Sequence, residues 1–211
     1  MRIRHLLVAS FAVTTLGLTS ASAKSGQGYT SITAAQGADH EGIITEFFSY
    51  ESPKSRSAWQ KMSQWKVPSA MEYERVPYIQ RAHHAVQARG YYASLLLDES
   101  GKHEAFQREL FEAIQVHGES VTTIDQVVDV ARSAGYDAAN FKKVMQGAAV
   151  KAKVKYAQDL AQQMQPRSLP TLIVDGRYRT DGQLAGNADR MIKVLDSLVG
   201  SERDQLASTK R

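Results

Sequence analysis

The amino-acid sequence predicts an α/β protein whose central mixed sheet is interrupted by a helical domain. Three observations predict this fold. An apolar run that ends in a Ser-Pro step, over residues 43–53, indicates a buried strand followed directly by a helix. Helical periodicity then occupies residues 79–165. A β-rich run with an Asp-Gly turn follows at residues 169–179, as is typical of a hairpin.

The composition is that of a globular protein with one core. The chain has 211 residues, of which 43% are hydrophobic and 23% charged. Residues 1–23 hold two arginines and no acidic residue, so the formal charge falls from +4 to +2 without them. That balance, with no basic stripe, argues against a nucleic-acid partner. The chain contains no cysteine, so its stability must come from packing rather than from disulfides.

The N-terminus has the pattern of an export signal. Arg2 and Arg4 precede an apolar stretch, Leu6–Leu18, that is too short for a permanent membrane anchor. Ala21-Ser22-Ala23 matches a cleavage site, so residues 1–23 are predicted to be a cleaved signal peptide. We expect the mature protein in a bacterial periplasm, with no membrane insertion.

The first strands follow a loose arm over residues 24–42. Tyr29–Ile32 is predicted as a short edge strand, and Ile43–Tyr50 as a buried strand. Ser52 suits a helix N-cap and Pro53 the first helical position, which predicts a helix reaching about residue 66. Met71–Pro77 is predicted as the next strand.

The helical block covers residues 79–165. Apolar residues recur there at helical spacing, and Thr123 precedes an amphipathic segment that ends near Gly135. Asp137 is predicted to cap one long helix that carries Phe141 and reaches Met164.

The chain then returns to strands. Leu169–Val174 is predicted as a strand, Asp175-Gly176 as the turn, and the return strand begins at Arg177. An amphipathic helix over residues 187–199 is predicted to end at Gly200, with 201–211 as a flexible tail. The order predicts a thioredoxin-like fold, with residues 24–78 and 166–200 as its two parts and 79–165 as the helical insert.

The chain resembles the DsbA-type periplasmic thiol:disulfide interchange family. Residues 46–50 are similar to the strand that leads to that family's active site. Ser52-Pro53-Lys54-Ser55 aligns with its Cys-Pro-Xaa-Cys motif, and Leu169-Pro170-Thr171 is similar to its cis-proline segment. The resemblance implies a cis bond before Pro170. It also implies contacts of Tyr50, Ser52, Leu169 and Pro170 with an extended peptide that adds as a strand.

The departure from the family falls on its chemistry. Both sulfur positions of the motif are serine, and the thiolate is the reactive species in disulfide exchange. A hydroxyl has no dithiol couple, so no redox-catalytic residue is predicted, and Ser52, Pro53, Lys54 and Ser55 form a degenerate motif. The resemblance implies that Glu46 is a vestigial buried acid, which in the family assists proton movement to the thiol.

Other roles of the singled-out residues remain open at this point. Ser52 is either an N-cap, worth about 1 kcal/mol over Ala, or a ligand contact. Ser55 is expected to be satisfied by nearby backbone. Lys54 is either solvated or part of an anion site at the helix N-terminus.

No metal site is predicted from the histidines. His83 and His84 occupy adjacent helical positions that point about 100° apart, so both cannot comfortably bind one metal. The remaining candidates, His40, His103 and His117, lack ligand spacing.

Three functional hypotheses follow. The first is a redox-inactive, cofactor-free protein that holds unfolded or extended polypeptides as a chaperone or adaptor. The alternative is a kappa-type glutathione transferase, in which the Ser52 hydroxyl donates to the sulfur of bound glutathione. The third is a serine variant of a working oxidase. The export signal and the hairpin at residues 175–178 favour the first over the second.

Overall fold

The structure is a computed structural model that describes residues 27–32 and 40–209, with side chains described as far as residue 200. The predicted signal peptide lies outside the described residues. The strands are β1 (Thr30–Ser31), β2 (Ile43–Phe48), β3 (Glu72–Pro77), β4 (Thr171–Val174) and β5 (Tyr178–Asp181). The helices are α1 (Pro53–Met62), α2 (Ala82–Leu96), α3 (Lys102–Gln115), α4 (Ile124–Ser133), α5 (Ala138–Met145), α6 (Ala148–Met164) and α7 (Ala188–Thr209).

The five strands form one mixed sheet in the order β1-β5-β4-β2-β3. Only β2 and β3 run parallel among the described pairs, joined by α1, and the other pairs are antiparallel. The parallel register places Glu46 of β2 opposite Arg75 of β3. The insert α2–α6 separates this βαβ unit from the β4–β5 hairpin.

Apolar side chains cover both faces of the sheet. Leu172 and Val174 pack towards α1 and α7, whereas Ile173 packs towards the helical insert. This alternation follows the two-residue period of a strand, and all four residues of β4 are buried. The sheet is therefore the middle layer between a two-helix face and the insert.

Most predicted elements are confirmed, but the prediction of one long helix at the end of the insert is wrong. Asp137 caps α5 by accepting a hydrogen bond from the Asn140 amide (2.7 Å), as expected. The helix ends at Met145, and Gly147 adopts an extended backbone before α6 begins. Two helices thus stand where one was predicted, because the extended Gly147 interrupts the helical hydrogen-bond pattern.

The turn between β4 and β5 is confirmed, whereas the end of the chain differs from its prediction. Asp175 and Gly176 both have positive φ, which confirms the tight turn, and the Arg177 amide donates to the Val174 carbonyl at 2.9 Å. However, α7 continues through Gly200 to Thr209, so residues 201–209 are helical rather than a tail. A side chain at Gly200 would meet nothing within 4 Å, and an exposed glycine costs a helix only about 1 kcal/mol.

Within the part of the chain that the structure describes, no helix combines the length and the apolar character needed to cross a lipid bilayer.

Candidate functional site

The Ser52-Pro53-Lys54-Ser55 motif forms the start of α1, directly after the turn that follows β2. Ser52 is the N-cap, and its Oγ accepts a hydrogen bond from the Ser55 amide (3.2 Å). The same hydroxyl donates to the carbonyl of Leu169 (3.3 Å), which links the motif to the segment before β4. The N-cap prediction is confirmed, and this hydroxyl both donates and accepts a hydrogen bond within the protein.

Ser55 is a buried structural residue. Its side chain has no exposed surface, and its Oγ accepts a hydrogen bond from the amide of Ser49 (3.3 Å). The expected satisfaction by nearby backbone is therefore confirmed. Ser55 fixes the turn before the motif to the first turn of α1.

The peptide bond between Leu169 and Pro170 is cis, as the resemblance implied. Pro170 lies opposite the motif and lines a cavity of about 190 Å³. The other lining residues come from α1, from the turn after β5 and from the start of α7; they are Lys54, Ser57, Gly182, Gly186, Asn187, Ala188 and Met191. We call this cavity the proline pocket.

Lys54 is exposed at the mouth of the proline pocket. A Cβ atom at Gly182 would stand 3.7 Å from its Cδ and 4.0 Å from its Nζ, so the lysine stem covers this glycine. The cation therefore lies beside the pocket and beside the N-terminus of α1, where both the lysine charge and the helix dipole attract an anionic group.

Tyr50, predicted as a substrate contact, is placed in the core. It is only 1% exposed and packs against the rings of Phe48 and Phe111 at centroid distances of 5.3 and 4.7 Å. Its carbonyl accepts a hydrogen bond from Gln115 of the insert (2.6 Å). Its side chain therefore joins the motif turn to the helical insert, and its predicted contact with a peptide stays a prediction. The predicted contacts of Ser52, Leu169 and Pro170 stay predictions.

Glu46 lies beneath the motif in a buried polar network. Its Oε2 accepts hydrogen bonds from Arg75 Nε (2.9 Å) and from the Tyr73 hydroxyl. Arg75 also donates through Nη1 to Gln107 and stacks 4.1 Å from the centre of the Phe48 ring. The vestigial acid is thus an ion-paired structural group, held by the parallel register of β2 and β3.

Three polar residues that the sequence reasoning did not combine meet beside the motif. Glu51 immediately precedes Ser52, and its two carboxylate oxygens contact His83 Nε2 at 2.7 Å and His84 Nε2 at 3.2 Å. Burial opposes ionisation of Glu51, but hydrogen bonds and charge interactions with His84 and His83 outweigh it and lower the pKa of this carboxyl. The sequence signal was the adjacent histidine pair, which the argument from helical angles set aside.

Comparisons with known proteins agree with this geometry. A family model of the DSBA-like thioredoxin domain matches residues 66–198, which is more than half of the chain. The chain belongs to the DSBA-like thioredoxin family. The matched DSBA-like region begins after α1, so it does not include the degenerate motif itself.

Relatives and solved structures of this DSBA-like family cover nearly the whole chain. The thiol:disulfide interchange protein DsbA of Pseudomonas syringae pv. tomato is 28% identical over 191 residues, covering 89% of this chain and 88% of the relative. The crystal structure of Pseudomonas aeruginosa DsbA has a TM-score of 0.76 at 22% identity, covering 90% of this chain and 97% of that one.

One of the solved structures that are similar to this chain is a complex with a peptide. Proteus mirabilis DsbA, carrying a cysteine-to-serine substitution, holds a non-covalently bound peptide in its structure. Its TM-score to this chain is 0.67 at 20% identity, covering 86% of this chain and 98% of that one. These likenesses establish the thioredoxin-like DsbA fold with its helical insertion.

Proposed function

We propose that this chain is an exported, redox-inactive member of its family that binds extended or unfolded polypeptides as a chaperone or adaptor. The single observation that carries the proposal is the proline pocket, which Pro170 forms with the motif helix and with the segment from the end of β5 to the start of α7, in a chain without cysteine. Export rests on the predicted signal peptide, and the periplasm is the compartment that such a signal implies.

The loss of redox chemistry follows because the motif carries oxygen where disulfide exchange needs sulfur. Disulfide exchange needs a thiolate that attacks a disulfide sulfur and a second thiol that resolves the mixed disulfide. Ser52 and Ser55 supply oxygen at both positions, and no other residue supplies sulfur as a thiol. Assays of thiol oxidation or insulin reduction should therefore stay at background.

Peptide binding needs none of this sulfur chemistry. An extended chain can add beside residues 168–170 through main-chain hydrogen bonds, with one side chain in the proline pocket. The related Proteus mirabilis protein carries a serine substitution and holds a peptide without a covalent bond. Exposed Lys54 at the pocket mouth favours peptides with an acidic residue at that point.

The size of the proline pocket favours this function over the glutathione alternative. Drug-sized ligands occupy clefts of about 300–1,000 Å³. The proline pocket, at about 190 Å³, suits one peptide side chain better than a whole tripeptide. The Ser52 hydroxyl hydrogen also goes to the Leu169 carbonyl, so a glutathione thiolate would have to displace that bond.

The test is a binding titration of the mature protein with a labelled unfolded polypeptide whose cysteines are blocked by alkylation. Gly182→Leu should fill the proline pocket and weaken binding at least tenfold. Gly182→Ala is the matched control, because its Cβ makes only ordinary contacts with Lys54 and should leave affinity nearly unchanged.

Two results would overturn the proposal. Polypeptide binding that Gly182→Leu leaves intact would place any binding surface elsewhere. Saturable binding of glutathione that Ser52→Ala abolishes, together with no polypeptide binding, would establish the transferase alternative instead. Circular dichroism of each variant confirms that the fold is retained.

A further inference from the structure

The cluster of Glu51, His83 and His84 has the composition of a metal site, independently of the proposed peptide binding. Its three potential ligand atoms, one from each residue, all lie within 4.8 Å of one another. Zinc–ligand bonds of about 2.0–2.2 Å place tetrahedral ligand atoms about 3.3–3.6 Å apart. Small side-chain rotations therefore bring these atoms to bonding distance around one ion.

The 100° between adjacent helical positions does not keep His83 and His84 from one ion, because both imidazoles reach the same Glu51 carboxylate from the first turn of α2. Their rings contact edge to face, with centroids 4.4 Å apart, and both Nε2 atoms point at the same carboxylate. Glu51 lies in the turn before the motif, where its amide donates to Ser49 Oγ (3.2 Å). Two elements distant in sequence thus converge on one point.

We propose that Glu51, His83 and His84 bind a borderline divalent transition-metal ion, with Zn²⁺ as the representative, and that water fills the fourth position. Two imidazoles and one carboxylate are a known protein ligand set of open, four-coordinate zinc sites. Imidazole nitrogen suits Zn²⁺, Ni²⁺ and Cu²⁺, whereas Mg²⁺ and Ca²⁺ prefer oxygen ligands alone.

Two contacts of the cluster must change when an ion binds. His84 Nδ1 accepts a hydrogen bond from the Gln80 amide (3.2 Å), so Nε2 carries the proton that points at Glu51. A metal at Nε2 moves that proton to Nδ1 and ends the Gln80 bond. Arg81, whose Nη1 lies 3.9 Å from Glu51 Oε2, must also withdraw, which its 68% exposed side chain permits.

The experiment is calorimetric titration of the tag-free mature protein with ZnCl₂. One equivalent should bind, and the NMR amide signal of Gln80 should shift as its hydrogen bond is lost. His83→Gln and Glu51→Gln should each weaken Zn²⁺ affinity by more than about tenfold, since even outer-shell partners are worth 10–100-fold. His117→Gln, at an exposed histidine outside the cluster, is the matched control and should leave affinity unchanged.

Two kinds of result would overturn the proposed metal site. No Zn²⁺ binding by the wild-type protein overturns the proposal without reference to any variant. Binding that both cluster variants retain, or that His117→Gln removes, places the ion at another site and also overturns it. Variants are compared only where thermal melts show folded protein, and the exposed or half-buried positions of Glu51 and His83 favour that.

Discussion

The ion pair beneath the motif provides a quantitative test of the structure. Glu46 has no exposed side-chain surface, and the Arg75 side chain is only 8% exposed. Removing one member of a buried pair leaves an uncompensated charge, which typically costs about 3–5 kcal/mol. Arg75→Leu should lower the free energy of unfolding by this amount, because Glu46 would lose its partner.

The double variant Glu46→Leu/Arg75→Leu should lose much less than the two single variants added together. It leaves no unpaired charge at this position, and its cost comes from the lost hydrogen bonds to Tyr73 and Gln107 and from the lost stacking of Arg75 on Phe48. We expect a coupling energy of about 3 kcal/mol, near the upper end for contacting residues.

Urea unfolding monitored by the fluorescence of Trp59 and Trp65 measures each free energy by linear extrapolation. Thermal melts give an independent check, since 3–5 kcal/mol corresponds to a drop in Tm of about 6–20 °C at this chain length. If the losses of the single variants add to that of the double within about 0.5 kcal/mol, the two residues do not form the pair.

Three further predictions concern the scaffold. Burial lowers the pKa of His103 from 6.5 to about 4. The contribution of His103 to the free energy of unfolding is therefore fully present above pH 6.5, and about 3 kcal/mol of it is lost as the pH falls towards 4. His103→Gln should flatten that part of the urea-derived stability profile between pH 7 and pH 4, and an unchanged slope would contradict the assignment. Gly90→Ala should lower the unfolding free energy by about 1 kcal/mol or more, because its Cβ would stand 2.5 Å from a methyl group of Val127. Gly200→Ala is the matched comparison: its Cβ meets open space, so this variant should raise the unfolding free energy by about 0.5–1 kcal/mol. Ser52→Ala should cost about 1 kcal/mol through the lost N-cap, and a stability unchanged in urea would show that the cap contributes nothing.

Local chemistry made much of the fold predictable from the sequence. The Ser52-Pro53 step specified the start of α1, since both residues satisfy requirements of a helix N-terminus by themselves. The Asp175-Gly176 pair specified the hairpin because both residues tolerate positive φ. The break at Gly147 was missed because the apolar spacing continues through it, and only the backbone reveals two helices.

The site was less predictable because its contacts depend on tertiary register. The partner of Glu46 follows from which residue of β3 lies opposite it, which no local pattern states. Glu51 meets His83 and His84 only because α2 starts beside the motif turn. The placement of Tyr50 in the core depends equally on the insert, whose Phe111 packs against its ring.

The most direct test of the central claim restores the missing sulfur. Ser52→Cys/Ser55→Cys and the wild-type protein are compared in a dithiol-oxidation assay, each purified free of other oxidoreductases. We predict background activity for the wild type and catalytic turnover for the double variant, because residue 52 already lies at the N-terminus of α1 and beside the segment before β4. Catalytic dithiol oxidation by the cysteine-free wild type would contradict the claim, and so would a folded double variant that shows none.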